Sequence, residues 1–450
     1  MASLEEQQGR GQWNSKIGFI LAAAGSAVGL GNLWRFPVEA GRNGGGAFLM
    51  VYFAILLLVG FTLMLAELVI GRHTQLNAIG AYKKIRSRWA WVGGIGVLAS
   101  FLILSFYSVI GGWIINYLFQ TVSGGLSGFD AGAYEGIFMD FVGSSFQPAL
   151  FHGIFAFLTL SIVMGGISGG IEKYSKILMP GLFMMMLIIM VRSLTLDGAM
   201  EGVRFFLAPN FSAITGDVIL SALGQVFFSL SLGMGVIITY GSYLPKNENL
   251  PQNSFFIPLL DTMIALVAGL TVLPAVFALG FEPNTGAGLL FITLPAVFAE
   301  MPMGILFGGL FFLLVLFAAL TSSISLLEAS VSFVVDKFNL QRKKAALLMG
   351  AMVFFVGLPS SLGMGALSHV ELIRGMNIMD SIDFFASNLL LPVGGFFLCI
   401  FIGWIWGIEN AIKEATNQGS ISFKLAGVWS FLIKFVAPIA IFVVFVQGLT

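Results

Sequence analysis

Long apolar segments alternate with short polar stretches along almost the whole 450-residue chain. Each segment is long enough to cross the roughly 30 Å of hydrocarbon in a bilayer as an α-helix. The pattern predicts eleven membrane-spanning helices, at 16–40, 46–71, 91–120, 147–165, 174–193, 217–241, 256–281, 303–335, 343–359, 383–407 and 425–448. The first residues are polar and lack the basic-then-apolar order of a cleaved signal peptide.

Composition supports the membrane interpretation. The chain is 58% hydrophobic and 10% charged, a balance that a water-soluble domain of this length could not carry on its surface. Net charge is zero and basic residues do not cluster with aromatic ones, so nucleic acid is not expected as a partner. The only cysteine, Cys399, lies in an apolar run, which favours inert packing.

Lysine and arginine are distributed unevenly between the two sides of the predicted membrane. If the N-terminus is inside, the outer segments keep only Arg35, Arg42, Arg192, Arg204 and Arg374. All other basic clusters face the inside, as the positive-inside rule requires. We therefore expect residues 1–15 to form a cytoplasmic N-terminal segment.

The first predicted helix contains three glycines and an asparagine within the stretch 25–32 (GSAVGLGN). Such residues are tolerated at mid-membrane only where freed backbone groups find protein, water or an ion. A similar motif recurs in the sixth helix at 232–235 (LGMG), and the five helices between the copies predict an inverted repeat. Chance similarity is the alternative, since glycine is also a common packing residue in membrane helices.

Three acidic side chains fall inside predicted helices: Glu67, Asp261 and Glu328. Buried acids mark ion or substrate paths, and we expect no lysine or arginine at comparable depth to neutralise them. Asp261 is the best candidate for binding a hard cation such as sodium together with free carbonyls. Glu67 is expected to accept hydrogen bonds from the exposed amides of a helix break, and Glu328 is left unassigned.

Hydroxyl groups follow one another in the eighth predicted helix, at 321–323 (TSS). Such side chains can bond the carbonyl one turn back and bend the helix locally. They could equally complete a site built only from oxygen ligands.

Four stretches together resemble the neurotransmitter:sodium symporter family: 25–37 (GSAVGLGNLWRFP), 43–48 (NGGGAF), 228–233 (FSLSLG) and 320–323 (LTSS). They occur in the family's order and spacing. The resemblance implies a bacterial inner-membrane transporter, not an enzyme, with the all-α LeuT-like fold. That fold has two inverted five-helix repeats, here 16–193 and 217–407, with breaks in helices 1 and 6. The eleventh helix, at 425–448, follows the repeats.

The resemblance implies two sodium sites. The first is expected to use Ala27, Asn32, Ser229 and Asp261, with the substrate carboxylate as a further ligand. The second is expected to use the carbonyls of Gly25, Val28 and Ala318 and the hydroxyls of Thr321 and Ser322.

Asp261 stands where many members of the family carry asparagine, and Ala265 stands where chloride-dependent members carry serine. A fixed carboxylate beside the ion supplies the negative charge that chloride would bring. We therefore expect transport that does not depend on chloride.

Gly29 occupies the position where the family's monoamine carriers have aspartate. The substrate must then bring its own carboxylate, as an α-amino acid does. The expected substrate site is uncharged and mostly apolar, which favours hydrophobic L-amino acids, both aliphatic and aromatic. Its residues are Ala27, Gly29, Gly31, Ile103, Tyr107, Phe228, Ser229, Ser231, Met234, Ser322 and Leu326. Met234 either refits around substrates of different shape or is ordinary packing.

Two gates are implied by the same resemblance. Arg35 and Asp383 are expected to pair on the outer side, above Phe228 and Tyr107. On the inner side Arg10 and Asp336 are expected to pair beneath Trp13, close to Tyr243. Surface ion pairs contribute only about 0–1 kcal/mol, which suits a gate that must open.

Two other functions fit parts of the pattern. One is a proton-coupled permease of the same fold, with Glu67 or Asp261 carrying the proton. The other is a channel, or a sensor that binds without translocating. No obligatory protein partner is predicted beyond the bilayer and the substrate.

Overall fold

The computed structural model describes residues 11–130, 132–280 and 288–448, and within these ranges every extended regular element is a helix. The first span is broken into α1a (Lys16–Ala27) and α1b (Gly31–Arg42), which meet at 53°. Nine further helices in the described ranges are long and apolar enough to cross a membrane. They are α2 (Gly46–Thr74), α3 (Ser87–Val122), α4 (Gln147–Met164), α5 (Ile167–Leu194), α7 (Leu250–Ala278), α8 (Gly304–Phe338), α9 (Arg342–Leu362), α10 (Ile378–Ile405) and α11 (Ala426–Gln447).

The remaining predicted span is interrupted. It consists of α6a (Gly216–Ser229) and the short α6b (Val236–Gly241), neither of which is long enough alone to cross the hydrocarbon. The predicted all-helical membrane fold with breaks in the first and sixth helices is confirmed. Short helices lie in the connections, at Ala78–Ile85, Ala133–Gly143, Ala199–Leu207, Leu289–Glu300 and Ile408–Ala415.

Several helices are longer than their apolar cores. α5 begins at Ile167 rather than 174, and α7 begins at Leu250, where the Asn249 side chain accepts a hydrogen bond from the backbone N–H of Gln252. Hydropathy marks only the part of a helix in lipid, whereas capping side chains determine where the backbone begins to turn.

The break in α6 requires residues that tolerate a left-handed backbone. Ser231, Gly233 and Gly235 have φ of 53°, 77° and 69°. A Cβ on Gly233 would lie 2.7 Å from the carbonyl oxygen of Leu391 in α10. Only glycine therefore allows α10 to pack against this break.

The cytoplasm-proximal end of α1a, by the predicted orientation, is held by α5. The Glu172 carboxylate accepts hydrogen bonds from the Asn14 backbone N–H (2.7 Å) and the Ser15 hydroxyl (2.8 Å). It lies so close to the first turn of α1a that a Cβ on Gly18 would overlap it. A carboxylate at a helix N-terminus also interacts favourably with the helix dipole.

The same side of the molecule is tied together by a buried charge cluster. The fully buried guanidinium of Arg72, near the end of α2, donates from Nε to Glu414 Oε1 at 2.8 Å. Glu414 lies on the short helix Ile408–Ala415 and also pairs with His73 (3.1 Å). Lys246, in the connection between α6b and α7, donates to the Arg72 carbonyl at 2.6 Å. The end of α2, the short helix Ile408–Ala415 and the connection between α6b and α7 are thus joined by one cluster of charged side chains.

Candidate functional site

The carboxylate of Asp261, on α7, lies at the meeting point of both helix breaks and is completely buried. Its oxygens accept hydrogen bonds from Asn32 Nδ2 (2.7 Å), Ser229 Oγ (2.9 Å) and Tyr52 OH (3.3 Å). Asn32 in turn accepts from the Gly29 backbone N–H at 3.2 Å. No lysine or arginine in the described ranges is within ion-pair distance of this carboxylate. The carboxylate and the hydroxyls of Ser229 and Tyr52 are oxygen donors of the kind that a hard cation prefers, while Asn32 faces the carboxylate with its amide nitrogen in this structure.

Ala27, the remaining residue predicted for the first sodium site, is the last residue of α1a and is buried. It directly precedes Val28, whose backbone ψ of 96° ends the helix. The break therefore leaves the carbonyls at this end of α1a without continuing helical partners.

A second oxygen cluster joins α1a to α8. The Thr321 hydroxyl lies 2.9 Å from the Ala318 carbonyl and 3.4 Å from the Val28 carbonyl. The Ser322 hydroxyl lies 3.4 Å from the Gly25 carbonyl and 3.5 Å from that of Val28. All five residues predicted for the second sodium site thus lie together, and all are buried.

The space between the two clusters is bounded by glycine and tyrosine. A Cβ on Gly29 would lie 2.5 Å from Ser322 Oγ and 3.0 Å from Tyr107 OH. A Cβ on Gly31 would lie 3.0 Å from the Phe228 ring. Five of the predicted substrate residues are therefore contiguous around the first helix break.

Two further predicted substrate residues lie on α3 and α8, one turn from Tyr107 and Ser322, and a third lies in the α6 break. Ile103 precedes Tyr107 by one turn on α3, and Leu326 follows Ser322 by one turn on α8, so each shares a face with its partner. Both side chains are buried, as is Met234, whose carbonyl accepts from Ser100 Oγ at 2.5 Å.

Ser231 connects the two breaks directly. Its hydroxyl donates to the Ser26 carbonyl at 3.0 Å, and the Ser26 hydroxyl lies 2.6 Å from that of Ser325 on α8. Neither Ser325 nor Tyr52 was identified from the sequence. The periodicity of α8 offered a signal for Ser325, which lies one turn from Thr321.

Comparison with known proteins places this geometry in a family. The chain matches the family described as the sodium:neurotransmitter symporter family over residues 10–130 and 149–450. It belongs to this family. A sodium-dependent transporter of Bacillus subtilis is 45% identical over 438 residues, covering 97% of each chain. One from Haemophilus influenzae is 36% identical over 454 residues, covering 98% of each.

A solved structure shares the whole architecture. The crystal structure of MhsT in complex with L-phenylalanine superposes with a TM-score of 0.90 at 44% identity, covering 98% of this chain and 100% of that one. This sodium:neurotransmitter symporter is therefore a multi-pass, sodium-dependent membrane transporter with a LeuT-like fold, and not an enzyme.

Glu67 supports the second break of this symporter. Its Oε1 accepts a hydrogen bond from the Gly233 backbone N–H at 2.7 Å. The expectation that Glu67 binds an exposed amide of a helix break is confirmed.

The expectation that no basic residue neutralises the buried acids is wrong for Glu328. Arg342 donates from Nη1 to Glu328 Oε1 at 2.9 Å and forms a second, very short bond from Nη2 to Oε2. The Tyr243 hydroxyl also donates to Glu328 at 2.6 Å. Arg342 begins α9, and the sharp turn after α8 brings its long side chain back to the acid.

The predicted outer gate is not paired in this structure. The Arg35 guanidinium lies 4.9 Å from the centre of the Phe228 ring and 3.9 Å from Glu39 Oε1. Asp383 accepts from the Ser387 hydroxyl at 2.6 Å. Within the described residues Arg35 and Asp383 form no ion pair, and the acidic group nearest to Arg35 in an ion pair is Glu39, one turn away on its own helix.

Half of the predicted inner gate can be located. Arg10 lies outside the described residues. Asp336 Oδ2 accepts from the backbone and side-chain amides of Asn77, at 3.0 and 2.7 Å. Trp13 donates from Nε1 to the Tyr240 carbonyl at 3.0 Å, and its ring centre lies 6.4 Å from that of Tyr243. Trp13 therefore fastens α1a to α6b.

Proposed function

We propose that this chain is a sodium-coupled symporter that imports hydrophobic L-amino acids, aliphatic and aromatic, by alternating access. The observation that carries the proposal is the continuity of three features around the α1 break. These are the Asp261 cluster, the Gly29 backbone beside Tyr107, and the second oxygen cluster at Ser322.

The substrate class follows from what surrounds Gly29. The space at position 29 admits backbone but no side chain, so this position cannot carry an aspartate whose carboxylate would bind the amine of a monoamine substrate. Ile103, Met234 and Leu326 are apolar and buried, and an unpaired substrate charge among them would be costly. The L-phenylalanine bound to MhsT is consistent with this class.

Two sodium ions are proposed, one at each oxygen cluster. The first would be held by Asn32, Ser229 and Asp261, with Ala27 and the substrate carboxylate. The second would lie among Gly25, Val28, Ala318, Thr321 and Ser322. Both sets contain only oxygen donors, which suits an alkali cation.

Chloride independence is proposed from two neighbouring positions on α7. Asp261 supplies a fixed negative charge, and the completely buried Ala265, one turn on, offers no hydroxyl to a chloride ion. The carboxylate thus replaces the anion. The N-terminus is proposed to be cytoplasmic, in a bacterial plasma membrane, because the basic segments then face inside.

Uptake of radiolabelled leucine and tryptophan into proteoliposomes tests the proposal directly. An inward sodium gradient should drive accumulation of both, and replacing chloride with gluconate should leave the rate unchanged. Potassium in place of sodium is the control and should abolish uptake.

Other results in these assays would indicate a proton-coupled permease, a sensor or a channel in place of a sodium-coupled symporter. Uptake driven by a pH gradient without sodium would indicate a proton-coupled permease. Sodium-dependent binding without accumulation would indicate a sensor, and single-channel currents a channel. Binding of only one of the two amino acids would contradict a site that accepts both classes.

A further inference from the structure

An apolar groove lies on the membrane-facing surface between the end of α3 and the start of α8. It is an open groove with a volume of about 700 Å³, and only leucine, isoleucine, valine, methionine and glycine line it. Gly309 forms part of its floor, where an added Cβ would lie 3.2 Å from the Val122 side chain. The exposed side chains of Leu306 and Ile305 form its rim.

The groove has the length of one leaflet. Its wall along α8 runs from Met303, which precedes the helix, to Leu313, and these ten steps rise about 15 Å at 1.5 Å per residue. Half of a hydrocarbon core of roughly 30 Å has the same depth. Because the groove begins where both helices begin or end, it covers one leaflet and stops near the midplane.

A second, smaller chamber continues the groove beyond the helix ends. It encloses about 110 Å³ and shares Gly304 and Ile305 with the groove. Thr121 and Ser127 are the polar residues of its wall, and Phe298 of the Leu289–Glu300 helix closes one side. The combined space is apolar at membrane depth and partly polar at the surface.

The surface end carries negative charge. Glu300 is exposed and directly follows Ala299, a wall residue of the chamber. Burial, followed by the charge of Glu300, raises the pKa of Tyr134, whose hydroxyl donates to the carbonyl of the wall residue Leu126 at 2.8 Å. An acidic side chain here favours a ligand with a cationic head.

Met303 marks the junction of the two spaces. It is a non-glycine residue with φ of 63°, yet its side chain is 67% exposed along the groove. A left-handed backbone at such a residue is uncommon and clusters at functional positions.

We propose that this groove and chamber bind one phospholipid of the leaflet opposite the N-terminus. Its acyl chain fills the groove, and its ammonium headgroup lies beside Glu300. The lipid contacts the two helices that carry Tyr107 and Thr321, so its presence links the bilayer to the transport site. The proposal is independent of which amino acid is carried.

Native mass spectrometry tests this with intact protein. The protein is reconstituted with equal phosphatidylethanolamine and phosphatidylglycerol, extracted in mild detergent, and the retained lipids are counted. We expect one phosphatidylethanolamine molecule to be retained per protein. The fraction of protein that retains it should fall about tenfold in Gly309→Leu and Leu306→Trp, because the larger side chains fill the groove and displace the apolar contacts of the lipid. Gly94→Leu on α3 is the matched control, because a Cβ there meets nothing within 4 Å, and it should retain the lipid.

Two results would overturn the proposal. If both groove-filling variants retain phosphatidylethanolamine like the control, the lipid does not bind here. Equal retention of phosphatidylglycerol would overturn the assignment of the ammonium headgroup. Thermal unfolding in the same detergent, measured alongside, verifies that each variant is folded.

Discussion

At the scale of single residues, two positions determine the character of the site: Asp261 gives it a negative charge, and Gly29 leaves space because it has no side chain. Three neutral groups donate hydrogen bonds to the Asp261 carboxylate, and none of them cancels its charge. Gly29 brings bare backbone within contact of Tyr107 and Ser322. Under the proposed function, Asp261 supplies the charge for a sodium ion, and Gly29 leaves room for a substrate that brings its own carboxylate.

Exchange of Asp261 for asparagine should weaken sodium binding by at least about tenfold, or 1.4 kcal/mol, because the ion loses a full charge at contact distance. Sodium titration of substrate binding measures this. Tyr52→Phe is the matched control, since it removes only a neutral 3.3 Å hydrogen bond to the same carboxylate. Equal losses in the two variants would show that the charge is not what matters.

At the scale of elements, the ion pairs of Glu414 hold together three segments at one end of the helix bundle. Burial would raise the pKa of Glu414, but the hydrogen bond from His73 and the charges of Arg72 and Lys246 outweigh burial and lower it to about 2. The short helix Ile408–Ala415 is thereby tied to the end of α2 and to the connection before α7. The short connecting helix Ile408–Ala415 therefore helps to fix the positions of α2 and of the start of α7.

Glu414→Gln should lower stability by about 3 kcal/mol, because the buried Arg72 loses its ionic partner. Thermal unfolding in detergent measures the loss. Glu409→Gln, an exposed acid on the same short helix, should leave the midpoint unchanged.

The same pair predicts a pH dependence. Since the folded pKa of Glu414 is below its ordinary 4.5, its contribution is complete above that pH and is lost as the pH falls towards 2. The Gln variant should lack this part of the acid transition. An acid transition identical to that of the parent protein would contradict the assignment.

Apolar segment length predicted the helices, and the helix-weakening residues at 25–32 and 232–235 predicted where two of them break. The grouping of Thr321 and Ser322 with carbonyls near the end of α1a was implied by the resemblance to the symporter family. Arg342 could not be assigned to Glu328, because a turn between helices determines which side chains return to the membrane interior. Nor could Tyr52 be found, since a single tyrosine in an apolar helix has no pattern of its own.

At the scale of the whole molecule, α1a is held at both ends. Its last turn contributes the Gly25 carbonyl to the second oxygen cluster, while the residues just before its first turn are bonded to Tyr240 through Trp13 and to Glu172. Arg35 above Phe228 covers the opposite approach. If the chain works by alternating access as proposed, opening on one side involves release of α1a from these partners, and opening on the other involves movement of Arg35.

A single introduced cysteine can follow this exchange, because Cys399 is completely buried and should not react with a maleimide. Ser387 lines a cavity of about 60 Å³ with Arg35 and Phe228. Ser387→Cys should be labelled several-fold more slowly with sodium and leucine than with sodium alone, as the approach closes. Ser420→Cys, in an exposed connection, should be labelled at the same rate in both conditions.

The contact between Glu172 and the first turn of α1a also bears on how such a chain can evolve. Any side chain larger than hydrogen at position 18 would occupy the space of the carboxylate. A relative that acquires alanine at 18 must therefore shorten or displace residue 172. The two positions are therefore coupled, and alanine at position 18 should be tolerated better together with a shorter side chain at position 172 than with glutamate there.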